Sequence, residues 1–126
     1  MKTIHTDKAP KPSGHYSQAI VHSGIVYVAG QVPRDPNNPS APAGSIEQQT
    51  EQTLKNVAVI LEAAGSSLSQ VLVMTVYISD MALWGKVNEV CTRMMGDHKP
   101  ARAVVPVKEL HYGYQVEIQA IATVRR

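Results

Sequence analysis

The sequence predicts an α+β domain: one mixed β-sheet with two helices packed on a single face. Three observations carry this. Residues 46–64 and 81–95 repeat apolar side chains at helical spacing. Runs rich in Val, Ile and Thr, above all Val71 to Ile78 and Gln115 to Val124, read as strands. The resulting order is β-β-β-α-β-α-β-β, without internal repeat or low-complexity tract. The 126 residues fit one domain, 1–126. A hydrophobic share of 44% supplies a core, which must be built from Val, Ile, Leu, Ala and Met because the chain has no Phe.

In chain order, Thr3 to Thr6 forms a short first strand, and Pro10, Pro12 and Gly14 break the segment after it. Ala19 to Ser23 and Ile25 to Ala29 are strands whose Ser-Gly link suggests a hairpin, with Gly30 ending the second. Pro33, Pro36, Pro39 and Pro42 make residues 33–44 a loop. Ser45 and Gln48 have capping-box form at the head of a helix from Ile46 to Ala64, and Gly65 suits its left-handed end. Leu54, Val57, Ala58, Leu61 and Ala64 share one face of it. Ser66 to Ser69 is a loop. Val71 to Ile78 is apolar on both of its alternating faces, as in a strand buried on both sides. Asp80 caps a second helix from Met81 to Met95, with Gly96 as its stop and Leu83, Val87, Val90, Cys91 and Met94 as its apolar stripe. Ala103 to Val107 is a strand with Arg102 at its entrance, and Pro106 marks an edge or the strand's end. The last strand places Val116, Ile118, Ala120 and Ala122 on one face and Glu117, Gln119, Ile121 and Thr123 on the other.

Charge and composition narrow the function. Twelve basic and ten acidic residues give a net charge of +2. The basic residues are scattered apart from Arg125-Arg126, which argues against a nucleic-acid stripe. A single Cys91 rules out an intrachain disulfide and suits a reducing compartment. No signal-peptide core or transmembrane run is visible, so a cytoplasmic protein without membrane contact is expected. No P-loop, dinucleotide fingerprint or nucleophile elbow occurs. The five His, at 5, 15, 22, 98 and 111, lack ligand spacing, so no metal site is expected. Cys91, on a buried stripe, reads as a packed residue.

Two residues stand out. Arg102 either snorkels to solvent or pairs with a neighbouring Glu, or its planar fork captures a carboxylate or phosphate. Glu117 interrupts an apolar strand with no obvious cation near it. Either its face is open to solvent, or it lines a cleft and handles a proton or a water.

Six segments occur in order: Gly14-His-Tyr-Ser-Gln18, Val28-Ala-Gly-Gln-Val-Pro33, Gln52-Thr-Leu-Lys-Asn56 with Leu61-Glu-Ala-Ala-Gly65, Val87-Asn88, Pro100-Ala-Arg102 and Val116-Glu-Ile-Gln-Ala-Ile-Ala122. Together, over essentially the whole chain, they resemble the Rid family of imine/enamine deaminases, also called YjgF-like or liver perchloric-acid-soluble proteins. The resemblance implies a chorismate-mutase-like fold and a homotrimer with active sites between subunits. It implies hydrolysis of 2-imino acids or enamines to 2-keto acids and ammonia, with no cofactor and no metal. The family's carboxylate-binding Arg maps onto Arg102 and its water-positioning Glu onto Glu117. Tyr16, Gly30 and Asn88 match its pocket residues. Val104 replaces a frequent Cys whose contact is mainly the backbone N–H. His15, Ala29 and the segment Leu110-His-Tyr-Gly-Tyr114 also depart from the family pattern and bear on the substrate. Alternatives of other kinds are a pathway-specific deaminase of the aminomuconate or aminoacrylate type, an endoribonuclease or translation inhibitor, and a trimeric ligand-binding protein without turnover.

Overall fold

The computed structural model describes residues 1–124, so the Arg125-Arg126 pair lies outside the described residues. The strands are β1 (Lys2–Ile4), β2 (Ala19–His22), β3 (Ile25–Gln31), β4 (Val71–Ile78), β5 (Ala101–Pro106) and β6 (Val116–Thr123). They form one sheet in the order β1-β2-β3-β6-β4-β5. Every neighbouring pair is antiparallel except β4 and β5, which are parallel and joined by a helix. The predicted mixed sheet with two helices on one face is therefore present. The last strand inserts between β3 and β4, which places Glu117 near the middle of the sheet.

The first hairpin closes through Ser23 (φ 51°) and Gly24 (φ 77°), two left-handed residues that match the twist of the flanking strands. β1 sits slightly earlier than predicted, at Lys2–Ile4. β3 does not end at Gly30: a shift in its pairing with β6 between Val28 and Gln31 carries the strand past the glycine.

Helix α1 (Ile46–Ala63) opens on the predicted capping box. The Gln48 amide donates to Ser45 Oγ at 3.1 Å, and the Ser45 amide donates to Gln48 Oε1 at 2.9 Å. Ala64 closes it, and Gly65 follows at φ 80°. Leu54, Val57 and Leu61 are fully buried, and so is Ile60, which the predicted stripe omits. Thr50 and Thr53 are buried too, their hydroxyls donating to the Ile46 and Gln49 carbonyls of the preceding turn.

The second helix starts later than predicted. Met81–Leu83 forms a tighter turn, and α2 proper is Trp84–Met95. Asp80 explains both. Its carboxylate accepts from the Ala82 amide at 2.8 Å, and its carbonyl accepts from the Leu83 amide at 3.0 Å, an i to i+3 bond that tightens the entry. Gly96 (φ 65°) ends the helix as expected.

One face of β4 and β6 (Met74, Val76, Ile78, Val116, Ile118, Ala120) lies buried under the helices. The helices bury one face of β4, and the second apolar face is not buried by the described residues. Its other face is open, with Val73 41% exposed, beside Tyr27 on β3 and Val105 on β5. Nothing among the described residues covers that side.

Candidate active site

Side chains in register on paired strands share a face of the sheet. Arg102 on β5 pairs with Met74 on β4, and Met74 pairs with Ala120 on β6. Met74 and Ala120 are buried on the helix side, so Arg102 points that way from the edge strand. Glu117 pairs with Tyr77, one of the residues of the open face. The two chemically interesting residues thus lie on opposite faces. Along β4 their partners, Met74 and Tyr77, are three residues apart. Three rises of about 3.3 Å and two strand spacings of about 4.8 Å put the Cα atoms of Arg102 and Glu117 roughly 14 Å apart.

Two clefts follow from this division. The first, of ≈ 280 Å³, is lined by Tyr16, Gly30, Arg34, His111, Tyr112 and Glu117 among others. The second, of ≈ 390 Å³, lies where α2 approaches β5 and is lined by Asn88, Cys91, Met95, His98 and Arg102 among others. Tyr16, Gly30 and Glu117 are brought together in one; Asn88 and Arg102 in the other. Val104 shares the Arg102 face of β5 and packs, half-buried, against the core.

Arg102 is exposed and makes no ion pair among the described residues, so it is not held by a neighbouring Glu. Its guanidinium carbon lies 5.7 Å from the centroid of the Trp84 ring. A cation over an aromatic face keeps its in-plane N–H donors free for a planar acceptor. Trp84, Asn88, Cys91 and Met95 recur at helical spacing, so α2 presents them as one wall beside the guanidinium. Burial pushes the Cys91 thiol up, against a smaller opposing pull from Arg102. A thiol held protonated in this way is a packed group, not a nucleophile.

Glu117 is half-buried, and burial raises its carboxyl above the ordinary 4.5, with His111 acting in the opposite direction. His111 is thus the electrostatic neighbour of Glu117 that sequence spacing did not reveal. It sits on a turn that the chain makes after β5, where its ring stacks on Tyr112 at 4.6 Å. Among the described residues Glu117 is in no salt bridge. A carboxylate in a cleft, raised by burial and in no salt bridge among the described residues, is placed to accept and return a proton.

Gly30 has a specific steric reason to be glycine. A Cβ built there would overlap Glu117 Oε2 and would stand 3.1 Å from Cδ. The carboxylate therefore rests against bare backbone. Gly30→Ala should fold, because the obstacle is the end of a side chain that can rotate away, yet it should displace the carboxylate from the cleft. If Glu117 acts on substrate, turnover drops by about a hundredfold or more while the melting temperature moves little. Unchanged turnover in a folded Gly30→Ala would show that the carboxylate's position does not matter.

Sequence reasoning missed Arg34 and Lys11, which join the Glu117 cleft, and Trp84 beside Arg102. Trp84 was detectable, being four residues before Asn88 on one helix face. Arg34 gave no signal, because it lies in a loop whose path only the fold reveals. Among the described residues no group of His, Cys, Asp and Glu side chains could hold a metal ion.

A family model described as endoribonuclease L-PSP matches residues 6–124. A RutC family protein of Pyrococcus horikoshii is 46% identical over 121 residues, covering 96% of each chain. A 2-iminobutanoate/2-iminopropanoate deaminase of Rattus norvegicus is 39% identical, covering 96% of this chain and 88% of its own. Among solved structures, E. coli TdcF with bound serine superposes with a TM-score of 0.94 at 33% identity, covering 99% of this chain and 100% of that one.

Proposed function

The chain belongs to the endoribonuclease L-PSP family, the Rid family of the sequence resemblance, and on that premise we propose that it hydrolyses small 2-imino acids and their enamine tautomers to 2-keto acids and ammonia. The observation that carries this is the pair of half-sites: the Arg102 guanidinium, in no ion pair among the described residues, beside a cleft on one face, and the Glu117 carboxylate in a cleft on the other. The rat relative named as a 2-iminobutanoate/2-iminopropanoate deaminase and the serine held by TdcF support a small amino-acid-like ligand.

In this reading Arg102 clamps the substrate carboxylate bidentately and fixes the plane of the C=N bond. Asn88, on the α2 wall, and Val104, through its backbone N–H, complete that end. Tyr16 and Gly30 shape the other, where Glu117 orients a water against the electrophilic carbon. As the water adds, Glu117 takes its proton. It returns the proton to nitrogen, giving the carbinolamine; it then takes the carbinolamine's hydroxyl proton and delivers it to the same nitrogen as the C=O bond forms and the C–N bond breaks, releasing the 2-keto acid and ammonia. No covalent nucleophile, cofactor or metal enters these steps.

A molecule the size of 2-iminobutyrate cannot touch two groups roughly 14 Å apart on opposite faces of a sheet. The reading therefore needs a second copy to bring its Arg102 half-site to this chain's Glu117. The open sheet face supports such an assembly, since Tyr27, Val73 and Val105 leave apolar surface exposed there. A closed homotrimer with three intersubunit sites satisfies both requirements. The scattered charge disfavours RNA as substrate. No helix among the described residues is long and apolar enough to cross a membrane. With its one buried thiol, the protein fits a reducing, cytoplasmic setting. The test is the release of 2-ketobutyrate and ammonia from 2-iminobutyrate generated in situ. Release well above the buffer rate supports the proposal, and release at the buffer rate by folded protein removes it.

A further inference from the structure

The wall of the Glu117 cleft contains a second guanidinium. Arg34 lies in the loop after β3, and its guanidinium carbon stands 4.6 Å from the centroid of the Tyr112 ring. Its backbone is fixed from below. The buried Asn56 of α1 donates to the Val32 carbonyl at 3.1 Å and to the Arg34 carbonyl at 2.9 Å. Tyr112, the platform, is held at φ 59°, ψ 21°, a left-handed conformation that an aromatic residue rarely adopts and that costs on the order of 1 kcal/mol or more. Strain of this kind, beside a cleft, fixes where the ring points.

Arg34 is nevertheless underused. Its Nε is buried with no hydrogen-bond partner, and among the described residues it forms no salt bridge. A buried N–H left unpaired is costly unless something else occupies it. Lys11 lines the same cleft, and His111 stands beside Tyr112. Against these, Glu117 is the one carboxylate among the lining residues. Glu117 rests against Gly30 and makes no ion pair with Arg34. The cleft thus holds a stacked, oriented fork that lacks an acceptor, in surroundings of net positive charge.

We infer that this cleft accepts 2-imino acids carrying a second, distal carboxylate, and that Arg34, stacked on Tyr112, is the residue that selects it. The inference rests on the deaminase reading only in assigning the α-carboxylate to Arg102. A four- or five-carbon dicarboxylate would then be gripped at both ends, with its imine carbon between them near Glu117. Arg34 determines specificity here and takes no part in the bond changes.

Stable product acids read this directly. Titration calorimetry compares 2-oxoglutarate with 2-oxobutyrate on wild type, Arg34→Leu and Arg34→Lys. Wild type should prefer 2-oxoglutarate by about tenfold or more. Arg34→Leu should erase that preference, and Arg34→Lys should keep part of it. The ratio of two affinities in one preparation is insensitive to the fraction folded. No preference in wild type, or an equal preference in Arg34→Leu, overturns the inference. Turnover of 2-iminoglutarate and 2-iminobutyrate, measured alongside, separates the two claims. An Arg34-dependent preference without hydrolysis of either imine would sustain this inference and sink the deaminase reading. Hydrolysis of both without that preference would do the reverse.

Discussion

Arg102→Ala should yield a folded protein that no longer turns over 2-iminobutyrate at low substrate concentration. Arg102 lies on the edge strand β5, is exposed, and holds no ion pair among the described residues, so the fold has little to lose. What goes is the only guanidinium among the described residues lining its cleft, and an isolated charge-assisted carboxylate contact is worth on the order of 2–5 kcal/mol. The loss should appear in kcat/KM and in the affinity for 2-oxobutyrate alike. Arg102→Lys should recover little. An ammonium offers point donors where the guanidinium offers a rigid plane, and it stacks less well on Trp84. Near wild-type kcat/KM in a folded Arg102→Ala would take Arg102 out of the mechanism.

Glu117→Gln should separate binding from chemistry. The amide has the carboxylate's shape and fits against Gly30, so product-acid affinity should be retained. It cannot take the proton of the attacking water, and loss of a general base typically costs on the order of a hundred- to ten-thousandfold in rate. The pH profile adds an independent check. Burial raises the Glu117 carboxyl above 4.5, and only its ionised form can act as base. Activity of the wild type should therefore fall, as pH drops, at a pH above 4.5. His111 opposes that rise, so His111→Leu should move the acidic limb to higher pH still. Glu117→Gln should have no such limb in its residual rate. Turnover that persists in Glu117→Gln while thermal stability drops would make the residue structural.

Local chemistry was legible where one stretch of chain settles it. The Ser45–Gln48 capping box, the left-handed Gly65 and Gly96, and the alternation of β6 all depend on neighbours within a few residues. Long-range placement was not. Nothing in the spacing of Gln115 to Val124 says that this strand inserts between β3 and β4, yet that insertion sets Glu117 against Gly30. The resemblance named Tyr16, Gly30, Asn88, Arg102 and Glu117 but could not divide them between two faces of one chain. Apolar residues on both faces of β4 are consistent with a strand buried on both sides; among the described residues the helices cover one of them, and the other is the face that the expected partner copies would cover. Arg34, and its stacking on Tyr112, escaped notice because a proline-rich loop and a turn, 78 residues apart in the numbering, meet only in the folded protein.

In the proposed assembly one copy supplies Arg102 and its neighbour supplies Glu117. Co-expression of Arg102→Ala and Glu117→Gln subunits, each inactive alone, tests it most directly. In a closed ring assembled at random from equal amounts, about a quarter of the intersubunit sites combine an intact arginine with an intact glutamate. The co-expressed population should therefore regain about a quarter of wild-type 2-iminobutyrate turnover. Mixed assemblies, verified by mass, that stay as inactive as their parents would contradict it.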